Sequence, residues 1–351
     1  MTQPGPAPKV SVCVPTFNRA AYLRESLPTL LRQDTGDYEV LVVDNDSTDD
    51  TAEVVRSFND PRIRYVRNDR NLGSRGNWNR CIELAAGEYV AICHDDDLYA
   101  PAFVGACRTF LEDNPSVGFV HCGFDLIDAA GSQTSHYLAY PTTRVLPSAV
   151  VFRSFLSEIH NVGFSSVMAR RSAYLEVGPF VADFLCADFD MWLRLAFRYD
   201  VGYISRCLVS YRAHAESTTH ALSPFRWYEE NLEIVERAIA MAAPAIPELN
   251  GERDRILAGV QACWARRCLR EAVSRASQGN VEQCREYVQA ASSLSNTATL
   301  RVQAAVVRVV LGPVATAPLR MARAVWRWFR RSPLRALLGF GRPGLERHAD
   351  R

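Results

Sequence analysis

The chain has 351 residues, 48% of them hydrophobic and 23% charged, with 40 Lys and Arg against 39 Asp and Glu. That length exceeds one small module, and that composition can bury a sizeable core, which excludes a wholly disordered chain and a collagen-like fibre. The net charge of +1 hides an asymmetry: residues 301–351 hold 11 Arg and two acids, Glu346 and Asp350, a balance of +9 that leaves −8 on the first 300 residues. An acidic body with a basic tail points to an anionic partner for the tail. The 10 Cys are scattered without a Cys-x-x-Cys pair or zinc-finger spacing, and read as buried, reduced thiols. Residues 1–8, rich in Pro and Gly, lack the charged start and apolar stretch of an export signal, so a disordered start and a cytoplasmic chain are expected.

Taken in order, Lys9–Pro15 (KVSVCVP) and Tyr38–Asp44 (YEVLVVD) are β-branched runs of strand length, and Ala21–Gln33 between them has apolar residues at helical spacing. A helix over Thr48–Phe58, capped by Ser47 or Thr48, a strand over Ile63–Arg67, a helix over Asn77–Ala86 and a strand over Tyr89–Cys93 continue the alternation. Strand-helix alternation predicts an α/β fold with a doubly wound, mostly parallel sheet. Further on, the spacing predicts a helix over Phe103–Leu111, a strand over Val117–Cys122, a polar loop over Gly131–Thr143, a strand over Gly163–Ala169 and a helix after Asp188. Trp227–Ala242, Asp254–Ser277 and Val281–Leu294 read as helices, so an α-helical region begins near residue 222.

In such sheets ligands lie beyond the carboxyl ends of the strands. The polar clusters Pro15–Arg19, Asp44–Asp50, Arg67–Gly73 and Asp95-Asp96-Asp97 all follow strands. Three adjacent carboxylates repel one another unless a cation or hydrogen bonds offset the charge, and Mg²⁺ or Mn²⁺ takes one or two carboxylates with phosphate and water. An acidic loop capping the next helix is the plainer account of the triplet. No P-loop and no Gly-x-Gly-x-x-Gly occurs, so phosphates here would need a metal and Arg.

Val10–Arg19 (VSVCVPTFNR), Val42–Thr51 (VVDNDSTDDT), Gly87–Pro101 (GEYVAICHDDDLYAP) and Asp188–Leu195 (DFDMWLRL) together resemble glycosyltransferase family 2, whose fold is GT-A. The resemblance spans roughly residues 9–215. It implies an inverting, metal-dependent enzyme of hexosyltransferase type, moving a sugar from a UDP- or dTDP-sugar to a hydroxyl of a glycan, glycolipid or similar cell-surface acceptor. It implies donor contacts at Pro15, Thr16, Phe17 and Arg19, with Phe17 stacking on the base, and at Asp44, which bonds the base. In the D-x-D region it places Asp95 at the ribose and Asp96 at the Mg²⁺ or Mn²⁺ ion, with Asp97 a further metal candidate; His94 stands where many members have the first acid. Arg75, Asn77 and Asn79 lie near the donor loop, Asn79 as a donor-binding candidate. His214, after Tyr211-Arg212, matches a late motif near the metal or diphosphate.

The family's Glu-Asp pair reads Ala187-Asp188 here, so Asp188 is the expected base that takes a proton from the acceptor hydroxyl. Asp190, the other candidate, can instead pair with Arg194 at i+4. Trp78 and Trp192, on apolar helix faces, are expected in the core. A nucleotidyltransferase would need a Gly-rich basic loop after the first strand, which is absent. A catalytically degenerate sugar-nucleotide-binding scaffold at the membrane is the alternative that the missing glutamate motivates.

The expected division is a disordered 1–8, a GT-A catalytic domain over 9–221, a helical domain over 222–298 and basic amphipathic helices over 299–351. In the last segment the longest charge-free run, Val309–Leu319, has 11 residues, against about 20 for a bilayer crossing. Arg interleaved with Trp326, Trp328 and Phe329 fits a helix lying on an anionic membrane surface, here the inner face of the plasma membrane, with a helix packed on the body behind a solvated Arg face as the alternative, ahead of nucleic acid. Removal of 301–351 is expected to abolish co-flotation with vesicles of anionic phospholipid; flotation kept by the shortened chain would take the tail out of membrane binding.

Overall fold

The computed structural model describes residues 7–157, 162–213, 223–277 and 280–294. The expectations for residues 1–6, for His214 and for 299–351 concern parts of the chain outside the described residues. The chain divides into two compact units, Met1–Ser154 with His160–His220, and Phe155–Ile159 with Ala221–Arg351.

The first unit opens with β1 (Val10–Thr16), α1 (Ala20–Leu31), β2 (Tyr38–Asp44), α2 (Thr51–Ser57), β3 (Ile63–Arg67), α3 (Gly73–Leu84) and β4 (Tyr89–Ile92). Val10, Val12, Val14, Val40 and Val42 are fully buried, as strands covered on both faces require. After the short β5 (Leu98–Tyr99) come α4 (Phe103–Asp113), β6 (Val117–Ile127), β7 (Gln133–Tyr137), β8 (Arg144–Leu146) and α5 (Ser148–Ser157). A 3₁₀ turn at Phe164–Ser166 leads into β9 (Val167–Arg170), then α6 (Arg171–Val177), α7 (Ala187–Arg198) and β10 (Asp200–Arg212). The strand order is β3-β2-β1-β4-β9-β6-β10-β5, with β7 on β6 and β8 on β10. β1 through β4 are parallel neighbours, whereas β9 runs antiparallel to both β4 and β6.

Register sets where the polar strand ends fall. Thr16 pairs with Asp44, and Asp44 with Arg67, so three strand ends are level. β1 and β4 part after Cys13↔Ile92. Pro15, which lacks an N–H, falls just past that point, where no ladder bond is needed. The sheet therefore opens between β1 and β4, and the loop 94–97 starts there.

Three expectations are corrected. The loop expected over Gly131–Thr143 contains β7, paired with β6 in a hairpin. Its turn is closed by the Asp128 carboxylate, which accepts from Ala130 and Ser132 N–H, and by Gly131 at φ +83°, a conformation that suits glycine. The polar, exposed residues of β7 hid its period. Secondly, α2 begins at Thr51 rather than behind a Ser47 or Thr48 cap: Asp49 accepts from the Thr51 N–H and hydroxyl and from Ala20 N–H, serving two helix starts. Thirdly, β10 was not foreseen, because register shifts between Ile204 and Cys207 and between Cys207 and Val209 break the alternation along it.

The second unit holds α8 (Pro224–Ala242), α9 (Glu248–Ser277) and α10 (Val281–Leu294). α8 starts with Ser223 accepting from Arg226 N–H and with Pro at its first position. Among the described residues no helix is long and apolar enough to cross a membrane. The ten cysteines are unpaired, and eight of them are buried.

At the entry to β4, a Cβ on Gly87 would lie 2.6 Å from Ser11 N and 2.7 Å from Val10 C, both backbone atoms of the central strand. Gly87→Ala is expected to lower unfolding free energy by about 2 kcal/mol, read from urea denaturation.

Candidate functional site

Two loops beyond β1 and β2 are stitched together. Asn18, at φ 53°, donates its N–H to Ser47 Oγ and accepts from Thr48 N–H at 2.8 Å. Asp46, at φ 71°, accepts from Arg67 at 2.7 Å. Asn and Asp tolerate this left-handed backbone better than other side chains. The stitch leaves Phe17 exposed, while Thr16 is buried and Pro15 and Arg19 are half-buried; the Arg19 guanidinium lies 5.2 Å over the Tyr22 ring. Asp44 is fully buried. Its Oδ2 accepts from the Tyr65 hydroxyl and its Oδ1 from Ser47 N–H at 2.9 Å. Burial and Asp44 hold the Tyr65 phenol well above its usual pKa, so it stays a donor.

Behind this floor runs a ladder of buried amides. Asn68 donates to Asn45 at 3.1 Å and to Asn77 at 2.9 Å, and Asn77 donates to Val43 C=O. Asn45 also donates to Asn71 and accepts from Leu72 N–H. Asn77 is thus spent inside the protein rather than on a ligand. Asn79, the donor-binding candidate, donates its amide to Phe180 C=O at 3.0 Å and accepts from Phe180 N–H at 2.8 Å. Both ends of the amide are engaged, so Asn79 positions the loop after α6. Arg75 Nε donates to Phe184 C=O in the same loop.

The aspartate triplet follows β4. Asp95 and Asp97 are buried and Asp96 is half-buried. Burial, and then the adjacent Asp96 charge, raise the Asp95 pKa to about 7, with Thr16 and Arg19 partly opposing. The same two causes push Asp97 up to about 8. Burial lowers the His94 pKa and keeps the imidazole neutral. His94 stacks on Phe164 with centroids 4.8 Å apart, and one ligand atom from each of His94, Asp96 and Asp97 lies within 4.8 Å of the other two. Oxygens around one Mg²⁺ or Mn²⁺ sit roughly 2.1 Å from it, so ligand atoms on opposite sides of one ion stand about 4.2 Å apart. The donor types fit: Asp97 Oδ1 accepts from Arg212 N–H at 2.8 Å, the Ser165 hydroxyl is a further bond to that carboxyl, and His94 Nδ1 stands 3.8 Å from Oδ2. Two carboxylates and a neutral imidazole are a donor set that Mg²⁺ or Mn²⁺ accepts.

Aromatic rings connect this loop to α7. Phe164 contacts Trp78 at 4.4 Å, Phe180 at 5.8 Å and Trp192 at 6.0 Å. Trp192 is buried, as expected, and Trp78 half-buried. Asp188, in the first turn of α7, is half-buried, and Ala187 beside it is fully buried, so the position of the family's glutamate faces the core. Asp190 pairs with Arg194 at 2.8 Å. Arg194 also donates to the carbonyls of Val177, Gly178 and Pro179. Sequence reasoning missed Arg212 as a site residue, although Tyr211-Arg212 was the signal.

The raised carboxylates have a definite sign. A folded-state pKa above the unfolded value of 3.8 contributes stability at low pH that is lost as pH rises through about 7 and about 8. His94, lowered from 6.5, acts the opposite way below that pH, which leaves 6.5 to 8 as the clean window. Without added metal, the melting temperature is expected to fall across that window, and Mn²⁺ to raise it more at pH 8 than at pH 6.5; a flat profile in thermal unfolding would contradict the buried-carboxylate reading.

Residues 11–178 match the family model described as glycosyl transferase family 2. An uncharacterized Mycobacterium tuberculosis protein is 32% identical over 221 residues, covering 60% of this chain and 69% of that one. The Campylobacter jejuni GalNAc(5)-diNAcBac-PP-undecaprenol beta-1,3-glucosyltransferase is 29% identical over 67% of this chain and 76% of its own. Among solved structures, Staphylococcus aureus TarS in complex with UDP-GlcNAc superposes with a TM-score of 0.59 at 19% identity, covering 92% of each chain. The mannosyltransferase PcManGT of Pyrobaculum calidifontis, in complex with GDP-Man and Mn²⁺, gives 0.52 at 20% identity over 94% of this chain and 87% of its own. At those identities the superpositions speak for the GT-A fold alone. The family match and the sequence relatives carry the rest: the chain belongs to glycosyltransferase family 2 and is a glycosyltransferase.

Proposed function

We propose that the enzyme is an inverting, metal-dependent glycosyltransferase that transfers a sugar from a UDP- or dTDP-sugar to a hydroxyl of a glycan or lipid-linked acceptor. The observation that carries this reading is the level register of Thr16, Asp44 and Arg67 beside the triplet Asp95–Asp97. Phe17, exposed at the rim, offers a ring face to the base; Thr16 and Arg19 flank the path of the diphosphate. Asp44 fixes the floor beneath the base through Tyr65 and Ser47. Asp95 faces the ribose. Asp96 and Asp97, joined by His214, would hold Mg²⁺ or Mn²⁺, which when bound offsets charge on the departing diphosphate.

Asp188 takes the proton of the acceptor hydroxyl as that oxygen attacks the anomeric carbon from the face opposite the diphosphate. One displacement inverts the centre. The glucosyltransferase activity named for the Campylobacter jejuni relative, on an undecaprenol-linked acceptor, supports a lipid-linked glycan here. Residues 301–351 would hold the enzyme at an anionic, cytoplasmic membrane surface near such an acceptor. The domain limits proposed with this reading are a catalytic 9–221, a helical 222–298 and a membrane-facing 299–351.

The test is a panel of sugar nucleotides with Mn²⁺, following release of nucleoside diphosphate. Asp188→Asn is expected to cut kcat by about 10²–10⁴-fold, the usual weight of a general base, with donor affinity kept. Unchanged turnover would remove Asp188 as base. Donor binding by the wild type with no turnover on any acceptor would favour the sugar-nucleotide-binding scaffold.

A further inference from the structure

The aspartate loop is held from behind by one arginine. Arg212, at the end of β10, is 1% exposed in its side chain, and four of its donors are committed. Its N–H donates to Asp97 Oδ1 at 2.8 Å and its Nε to Asp96 C=O at 2.9 Å. Nη1 donates to Ala129 C=O at 3.0 Å in the β6–β7 turn, and Nη2 to Glu25 Oε2 on α1 at 2.8 Å. The guanidinium also lies 5.7 Å over the Tyr22 ring.

We propose that Arg212 is a positioning residue for the metal-binding carboxylates, and that Glu25, 58% exposed on α1, supplies the counter-charge that keeps its guanidinium in place. The bonds to consecutive residues divide the work. The one to the Asp96 carbonyl fixes the peptide from which the Asp96 side chain departs. The one to Asp97 Oδ1 fixes the rotation of that carboxylate and leaves Oδ2 directed elsewhere. Ala129, in a turn tightened by Gly131, refers both to the sheet. A buried guanidinium is stable only with its bonds satisfied and a counter-ion near, and Glu25 is the carboxylate that it reaches. Lysine could not replace it, because a single ammonium cannot span Asp96, Ala129 and Glu25 from one position.

This inference rests on the reading that the triplet holds a divalent cation, and Mn²⁺ binding to the full-length protein tests it without activity. Mn²⁺ is titrated by electron paramagnetic resonance, with and without UDP, into the wild type, Glu25→Gln and Arg212→Lys, and melting temperatures are recorded alongside. Arg212→Lys keeps the main-chain N–H on Asp97 but removes the guanidinium bonds to Asp96 C=O, Ala129 C=O and Glu25, and through the loosened Asp96 peptide it is expected to weaken Mn²⁺ binding about tenfold. Glu25→Gln turns a charge-assisted bond into a neutral one at an exposed position; it is expected to keep its melting temperature and to weaken Mn²⁺ roughly threefold. Wild-type Mn²⁺ affinity in a folded Glu25→Gln overturns the role of Glu25, and in Arg212→Lys that of Arg212. Should Arg212→Lys not fold, Glu25→Gln decides alone. A wild type that binds no Mn²⁺ overturns the metal reading itself, and this inference with it.

Discussion

Three carboxylates in succession at the end of a buried strand repel one another, and the surrounding structure is arranged to contain that repulsion. Asp95 and Asp97 lie inside the protein, each with a pKa raised by burial and by the charge on Asp96 between them. Arg212 braces the loop from the far side, its main-chain N–H on the Asp97 carboxylate and its Nε on the Asp96 carbonyl. Neutral His94 closes the near side without adding charge. At Asp97 the Ser165 hydroxyl and the Arg212 N–H pull against the rise that burial imposes, so the carboxyl is held by hydrogen bonds rather than by a counter-charge.

A second constraint is the way α3 faces in two directions. Through Asn77 it joins the amide ladder behind the donor loop, and through Arg75 and Asn79 it grips the loop that leads to α7. Trp78, between those positions, packs on Phe164 and Phe180 and stacks near His94. Arg75, Asn77 and Asn79, polar residues of one helix, thus make internal bonds that brace the loops on either side of α3.

The first half of the fold was legible because each parallel strand is a β-branched run and each helix carries an apolar stripe; β1 through β4 fall where those patterns lie. The triplet Asp95–Asp97 and the start of α7 were equally open to reading. Other features had no one-dimensional trace. β7 is polar on an exposed hairpin, and β10 is broken by bulges, so neither keeps a period of two. The roles of Asn77, Asn79 and Arg212 depend on partners 34, 101 and 115 positions away, distances over which local spacing carries no information. The change from glutamate to alanine at 187 was visible in the sequence, whereas only the structure places that position wholly in the core.

The loop from Val177 to Phe184 is anchored by the buried Phe180 ring, packed on Trp78, Phe164 and Trp192, and by bonds to its peptide groups: Arg194 takes the carbonyls of Val177, Gly178 and Pro179, Asn79 both polar atoms of the Phe180 backbone, and Arg75 the carbonyl of Phe184. The bonds to the peptide groups are blind to side-chain identity. The outward residues of the segment can be exchanged while its course, and the first turn of α7 beyond it, stay fixed, which makes it a natural place for one scaffold to diversify without relocating its chemistry.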